Sequence, residues 1–177
     1  ILEIAKDGNV SVRSANADHG TITDLNRNLL MFYTNTQRSA DEILAEQSQG
    51  AKTKKANVVD SMHVIKEIGY QILDAVETGN LTDVGLLFHK HWEHKKRISN
   101  KMSNPRFDQI YQLALDNGAL GGKISGAGGG GFFVFYVEEN HRQFCETMAK
   151  AGLREMRYTF DTEGTKVLVN FMSGRGS

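Results

Sequence analysis

The chain of 177 residues balances 21 basic residues against 21 acidic ones, so its formal net charge at pH 7 is zero. A broad nucleic-acid or membrane surface needs a basic field, so we expect neither class of partner, although local anion sites stay open. No apolar run approaches the length of a membrane span, and the N-terminus lacks the pattern of a signal peptide. The single Cys145 cannot form an internal disulfide, which fits a cytoplasmic protein.

Two short alternating apolar runs open the chain. Residues 1–4 and 9–12 flank the turn residues Asp7 and Gly8, and this pattern predicts a β-hairpin. The chain has no initiator Met and enters this hairpin at once. We therefore expect that the first part of a longer polypeptide is missing.

The compact apolar run at residues 29–34 predicts a core strand, and a helix is expected directly after it. Ser39 and Glu42 have the spacing of a capping box. A helix N-terminus offers free N–H groups and a partial positive charge, so Arg38 and Ser39 are candidates for binding a phosphate or sugar oxygen. The alternative is a capped helix beside a solvated arginine.

Apolar residues at helical spacing predict three more helices in the middle of the chain. The first covers residues 58–76 and ends at Gly79. Asn80 caps the second, whose apolar stripe runs to Met102. The third begins with the cap Asn104 and continues to residue 118.

The last third of the chain predicts a buried strand at residues 132–137 and a helix capped by Asn140. A terminal hairpin is expected to pair residues 156–160 with residues 167–171. Strands separated by groups of helices indicate an α+β sandwich, in which helices cover a mostly antiparallel sheet. We expect residues 1–177 to form a single domain.

Seven glycines occur among residues 121–131, immediately before the aromatic strand. Such a loop can adopt positive φ, and its successive N–H groups can form a concave anion site. A dinucleotide fingerprint would need a helix directly after the glycines, and a Walker loop would need a lysine that is missing here. The alternative is a tight glycine turn between two strands, without a ligand.

Residues 89–97 are rich in histidine and basic side chains. His89, His91 and His94 point in different directions on a helix, so we expect no metal site there. The functional interpretation is a helix that presents Trp92, Lys95, Lys96 and Arg97 to a sugar-like or anionic ligand. The alternative is a solvated basic face with Trp92 in the core.

The run at residues 122–132, from Gly-Lys-Ile-Ser-Gly-Ala to Phe, resembles the third conserved motif of the GHMP small-molecule kinases. Within that group, residues 30–34, 38–47, 92–99 and 103–108 resemble the branch of D-glycero-D-manno-heptose 7-phosphate kinases, and fucokinases share part of this signature. The resemblance covers essentially the whole chain, but only the C-terminal half of a family member.

This resemblance implies the C-terminal domain of an ATP-dependent kinase that transfers the γ-phosphoryl group to a hydroxyl of a sugar or sugar phosphate. It also implies that ATP, Mg²⁺ and the catalytic aspartate are held mainly by an N-terminal domain that is absent from this chain. The present chain would then carry no catalytic residue. A homodimer is compatible with it. The glycine loop would support the phosphate loop through Ser125, Gly126, Ala127, Gly128, Gly129 and Gly130. The alternatives are a non-catalytic module that binds a sugar phosphate or nucleotide, and a ligand-free interaction domain.

Overall fold

The computed structural model describes residues 1–36, 40–53, 56–126, 130–161 and 164. The helices in this part of the chain are α1 (His19–Asn28), α2 (Ala40–Lys52), α3 (Ala56–Glu77), α4 (Leu81–Ile98), α5 (Pro105–Asp116) and α6 (His141–Lys150). The strands are β1 (Leu2–Ile4), β2 (Val10–Val12), β3 (Leu29–Tyr33), β4 (Ala119–Ile124), β5 (Phe132–Val137) and β6 (Arg154–Glu155). None of the helices within these ranges is both long and apolar enough to cross a membrane.

Strands β3 to β6 form one antiparallel sheet with the order β4-β5-β3-β6. Helices α4 and α5 contact the edge strand β4, α6 contacts β6, and α3 packs on the outside of α4. This arrangement confirms the predicted α+β fold, with helices covering an antiparallel sheet.

Aromatic side chains fill the core on one face of this sheet. Phe32 of β3 lies directly opposite Phe133 of β5 and is fully buried, as are Phe133 and Phe135. Phe107 of α5 meets the Phe133 ring edge-on at 5.5 Å, and Phe144 of α6 meets the Phe135 ring at 5.7 Å. Burying each such ring contributes about 1.5–3 kcal/mol, so this cluster attaches α5 and α6 firmly to the sheet.

Helix α4 runs alongside β4 at very short range, and two glycines make this possible. A Cβ at Gly121 would overlap the carbonyl oxygen of Gly85, and a Cβ at Gly85 would lie 2.6 Å from Cδ1 of Tyr136. The expectation that Gly121 and Gly122 belong to the glycine loop is therefore wrong, because both lie in β4. Their missing side chains make room for α4 and for the ring of Phe135.

Several predicted helix boundaries are confirmed and others need correction. The Asn104 side chain caps α5 by accepting a hydrogen bond from the N–H of Phe107 at 3.0 Å. The side chains of Asn80 and Asn140 make no such bond, and Asn140 adopts a left-handed conformation instead, with φ of 56°. The second of the three predicted helices stops at Ile98, before the buried Met102.

Both ends of the chain were expected to form hairpins. The N-terminal hairpin is confirmed, with Leu2 opposite Val12 and Ile4 opposite Val10, and these four apolar side chains share one exposed face. At the C-terminal end the predicted strand at residues 156–160 is wrong, because β6 covers Arg154–Glu155 and ends before them, and residues 156–160 form no regular strand. The expected partner strand at residues 167–171 lies outside the described residues, as does the predicted cap Ser39 of α2.

The first prediction concerns the contact between α4 and β4. Gly121→Ala should lower the free energy of unfolding by at least about 2 kcal/mol, because the added methyl group meets main-chain atoms that cannot yield. Thermal unfolding should shift downward by about 5 °C. Gly69→Ala is the matched control: nothing lies within 4 Å of a Cβ there, and an alanine inside α3 should raise stability by about 0.5–1 kcal/mol. Equal midpoints for the two variants would contradict the close approach.

The second prediction separates the true helix cap from the apparent one. Asn104→Ala should cost about 1 kcal/mol, since the N–H of Phe107 loses its acceptor. Asn140→Gly should change stability by no more than about 0.5 kcal/mol, because that side chain makes no cap bond and glycine accepts positive φ. Chemical denaturation of both variants measures the difference, and a larger loss for Asn140→Gly would refute the assignment.

Candidate functional site

The described ends of the glycine loop are held by main-chain hydrogen bonds. The N–H of Ser125 donates to the carbonyl of Phe132 at 2.8 Å, which continues the pairing of β4 with β5. At the other end, the N–H of Gly131 donates to the carbonyl of Thr36, and the N–H of Thr34 donates to the carbonyl of Gly131, both at 2.9 Å. The loop is thus fixed to the segment that follows β3.

Two of the loop positions require glycine for different reasons, one for its backbone conformation and one for lack of space. Gly126 adopts φ of +82° in open space, a conformation that other residues rarely take. Gly130 is required by close approach, since a Cβ there would lie 2.7 Å from the carbonyl oxygen of Thr36. Ser125 and Gly126 are exposed. The remaining predicted loop residues, Ala127, Gly128 and Gly129, lie outside the described part of the chain.

Lys95, near the end of α4, reaches the loop directly. Its Nζ donates a hydrogen bond to the carbonyl oxygen of Gly126 at 2.6 Å. Burial, together with the nearby charge of Lys123, lowers the pKa of Lys95 to about 8. The ammonium group is therefore still largely charged at pH 7, but it is in an environment that disfavours the charge.

Lys123 is a candidate site residue that the sequence analysis did not identify. Residues 121 and 123 lie on one face of β4, and Ser125 follows directly after the strand ends at Ile124. The Nζ of Lys123 lies 5.7 Å from the ring centroid of Phe88, and burial lowers the pKa of this lysine. Burial, together with the charges of Lys123 and Lys95, lowers the pKa of His91 to about 4. The imidazole is therefore neutral at pH 7.

The other predicted contact residues do not join this cluster. Lys96 is paired with carboxylates instead: its Nζ lies 2.7 Å from Oε1 of Glu93, one turn earlier in α4, and 3.9 Å from Oδ1 of Asp108 in α5. Trp92 is 0% exposed, and its ring packs edge-on against Phe133 at 6.3 Å. The structure thus agrees with the alternative that places Trp92 in the core, where it cannot stack on a ligand.

Arg38 and Ser39 fall outside the described residues, as noted for the helix cap. Thr36, the last described residue before them, lies against Gly130 and Gly131 and contacts Nη1 of Arg106 at 3.4 Å. The role of Arg38 and Ser39 in binding phosphate or sugar oxygens stays a prediction.

A buried hydrogen-bond network that sequence reasoning missed supports β4 beneath the loop. The hydroxyl of Tyr111 donates to the carbonyl of Gly122 at 3.3 Å and accepts from its N–H at 3.2 Å. Because that hydroxyl has one proton, Nδ1 of His89, 3.0 Å away, must be the donor in their contact. His89 therefore has a structural partner. The signal available from sequence was weak, since two adjacent glycines suggest a turn more readily than a strand.

A nucleotide brings phosphoryl groups and a metal ion, and the described residues suit these two differently. Within these ranges, no group of three or more His, Cys, Asp or Glu side chains could hold a metal ion. A phosphoryl group fits better, since Lys95, Lys123 and the exposed turn at Ser125 and Gly126 lie together.

Comparison with known proteins identifies the domain. The family model described as "GHMP kinases C terminal" matches residues 72–153. A D-glycero-alpha-D-manno-heptose 7-phosphate kinase of Campylobacter jejuni is 30% identical over 165 residues, which cover 93% of this chain and 47% of that protein. The chain therefore spans about half the length of this curated relative.

Solved structures agree with this match. A putative sugar kinase from Campylobacter jejuni superposes with a TM-score of 0.64 at 28% identity, covering 92% of this chain and 45% of the other. Mevalonate kinase from L. major superposes with a TM-score of 0.66 over 85% of this chain and 43% of its own length. At 18% identity, that second likeness shows the fold alone. The family model and the curated heptose phosphate kinase relative show that the chain belongs to the GHMP kinases, as their C-terminal domain.

Proposed function

We propose that this domain forms one wall of the active site of an ATP-dependent kinase whose acceptor is a hydroxyl group of a sugar or sugar phosphate. The observation that carries the proposal is the contact of the Lys95 ammonium with Gly126, which sets a positive charge beside an exposed glycine with positive φ. The heptose phosphate kinase relative supports a phosphorylated sugar as the acceptor class.

Phosphoryl transfer depends mainly on positioning and on electrostatic stabilisation, and this chain supplies both. When bound, ATP supplies the transferred group and Mg²⁺ neutralises part of its charge. The loop between β4 and β5 limits how far the phosphates can move, because its ends are fixed to Phe132 and Thr36. Lys95 of α4 and Lys123 of β4 balance negative charge from this wall of the site.

We also propose that an N-terminal domain forms the opposite wall and holds the principal phosphate loop and the catalytic carboxylate. The hairpin face of Leu2, Ile4, Val10 and Val12 is a candidate for part of the interface, since contiguous exposed apolar side chains mark interaction surfaces. Leu2, Ile4 and Val12 are 71%, 75% and 72% exposed. A small sheet with so little burial gains stability from such a partner.

The third prediction tests the activity. The polypeptide that joins this domain to its N-terminal partner should transfer phosphate from ATP to a heptose 7-phosphate more efficiently than to fucose, galactose or mevalonate. An ADP-release assay gives kcat/KM for each acceptor, and ³¹P NMR identifies the new ester. The present chain assayed alone should show no transfer. Preference for mevalonate would refute the sugar acceptor, and binding without turnover in the joined protein would indicate a non-catalytic module.

The fourth prediction isolates the role of the glycine turn. Gly126 and Gly118 both have positive φ, of +82° and +103°, and both face open space, so alanine should cost each a similar amount of stability, about 1 kcal/mol. Only Gly126→Ala should also reduce kcat/KM, by at least about tenfold, because it lies at the candidate site.

Gly118→Ala is therefore the matched control, since it introduces the same backbone strain at the end of α5. Melting temperature and kcat/KM are measured on both variants. Equal losses of activity would mean that the turn matters for stability alone, and a fully active Gly126→Ala enzyme would remove it from the site.

A further inference from the structure

The connection between α4 and α5 carries a buried serine that reaches across to α2. Ser99 follows the last residue of α4 and is only 3% exposed. Its hydroxyl lies 2.6 Å from Oε2 of Glu46, a half-buried residue in the middle of α2. The N–H of Lys101 donates to the same hydroxyl at 3.1 Å, so the single hydroxyl proton of Ser99 goes to the carboxylate.

This α2–α4 hydrogen bond, between Ser99 and Glu46, is well suited to fixing a position. A hydroxyl that donates to a carboxylate forms one of the shorter and stronger hydrogen bonds in proteins. Apolar contacts also hold α2, since Ile43 is 1% exposed and Gly50 lies against Val58. Apolar packing is non-directional, whereas a hydrogen bond weakens steeply when its angle changes. The α2–α4 hydrogen bond therefore selects one orientation of α2 relative to the end of α4.

Helices α2 and α4 are connected to opposite ends of the glycine loop. On one side, Lys95 in the last turn of α4 donates to the carbonyl of Gly126. On the other side, α2 begins at Ala40, soon after Thr36, whose carbonyl accepts from the N–H of Gly131. The α2–α4 hydrogen bond joins these two sides. The chain and its contacts therefore form a closed ring that includes the loop.

We propose that Ser99 and Glu46 are positioning residues, which set the distance between the two sides of the glycine loop and so hold this wall of the active site in its productive shape. Both act through other groups: the carboxylate through α2 and Thr36, and the serine through the end of α4 and Lys95. Their role in phosphoryl transfer rests on the proposed function, because transfer needs groups held within about 0.5 Å of the productive geometry. The coupling between the helices and the loop is a property of the present chain alone.

Amide exchange measured by NMR on the present chain tests this coupling. Ser99→Ala and Glu46→Ala should each raise the exchange rate of the Gly131 N–H at least about tenfold, because the Thr36 carbonyl that protects it would be held less firmly. The N–H of Met156, which donates to a carbonyl of β3, should be unaffected and serves as the internal reference. Glu46→Gln should retain most of the protection, since an amide oxygen still accepts from the serine hydroxyl.

Ser103→Ala is the matched control. The hydroxyl of Ser103 also donates to a carboxylate, that of Asp108 at 2.8 Å, but this bond links the same connection only to the first turn of α5. Its loss should leave exchange at Gly131 unchanged. The double variant of Ser99→Ala with Glu46→Ala should behave like either single variant, because both changes remove the same bond. Circular dichroism melting curves verify that each variant is folded.

The consequence for catalysis is measured on the polypeptide that joins this domain to its N-terminal partner, well below the melting temperature. Ser99→Ala and Glu46→Ala should each lower kcat at least about tenfold, equivalent to about 1.4 kcal/mol, while Glu46→Gln and Ser103→Ala retain most of it. A merely structural role predicts a lower melting temperature with kcat unchanged, since the folded enzyme would be intact.

Each result decides one part of the inference. Unchanged exchange at Gly131 in both alanine variants, or an equal increase in Ser103→Ala, would overturn the coupling. Normal kcat in Ser99→Ala and Glu46→Ala would overturn their positioning role, even with faster exchange. Absence of kinase activity in the unmodified joined protein would overturn the proposed function, while the exchange rates of the present chain would still decide the coupling.

Discussion

The structure depends on the close approach of α4 to β4, in which Gly85 lies against Gly121 without side chains between them. Helix and strand run side by side in the same direction from that point. Ten helical residues rise about 15 Å and five strand residues about 17 Å, so Lys95 arrives level with Gly126. A glycine inside a helix costs about 0.5–1 kcal/mol, and the contact it permits fixes the position of the site.

The sequence predicts most of the helices and the β5 strand, because apolar spacing and helix signals are local properties. It fails at β4, since the glycines there serve a contact with α4 that lies more than 30 positions earlier in the chain. The same limit explains why the sequence could not distinguish the role of Lys95 from that of Lys96. Both were expected to meet a ligand, yet adjacent helical positions point about 100° apart, and only the packed structure shows which one faces the loop.

Local signals also mislead where several structures satisfy them. Asn80, Asn104 and Asn140 all precede helices, and only Asn104 among them forms a side-chain cap, because the backbone before α5 is extended and directs the amide toward the first turn. Helix α1 was not predicted from its weakly apolar sequence. It is capped by Asp18, which accepts a hydrogen bond from the N–H of Thr21 at 2.7 Å and has a lowered pKa through that bond.

The two hydrogen bonds between Tyr111 and Gly122 protect the edge of the sheet from pairing with another molecule. Strand β4 is the outer strand of its sheet, and an outer strand with free N–H and C=O groups can recruit a strand from another molecule. Here one phenol occupies both groups of Gly122, and α4 covers the adjoining residues. The Tyr111 side chain thus blocks strand addition at Gly122. If α5 opened locally, the edge of β4 would be exposed and could pair with a strand of another molecule.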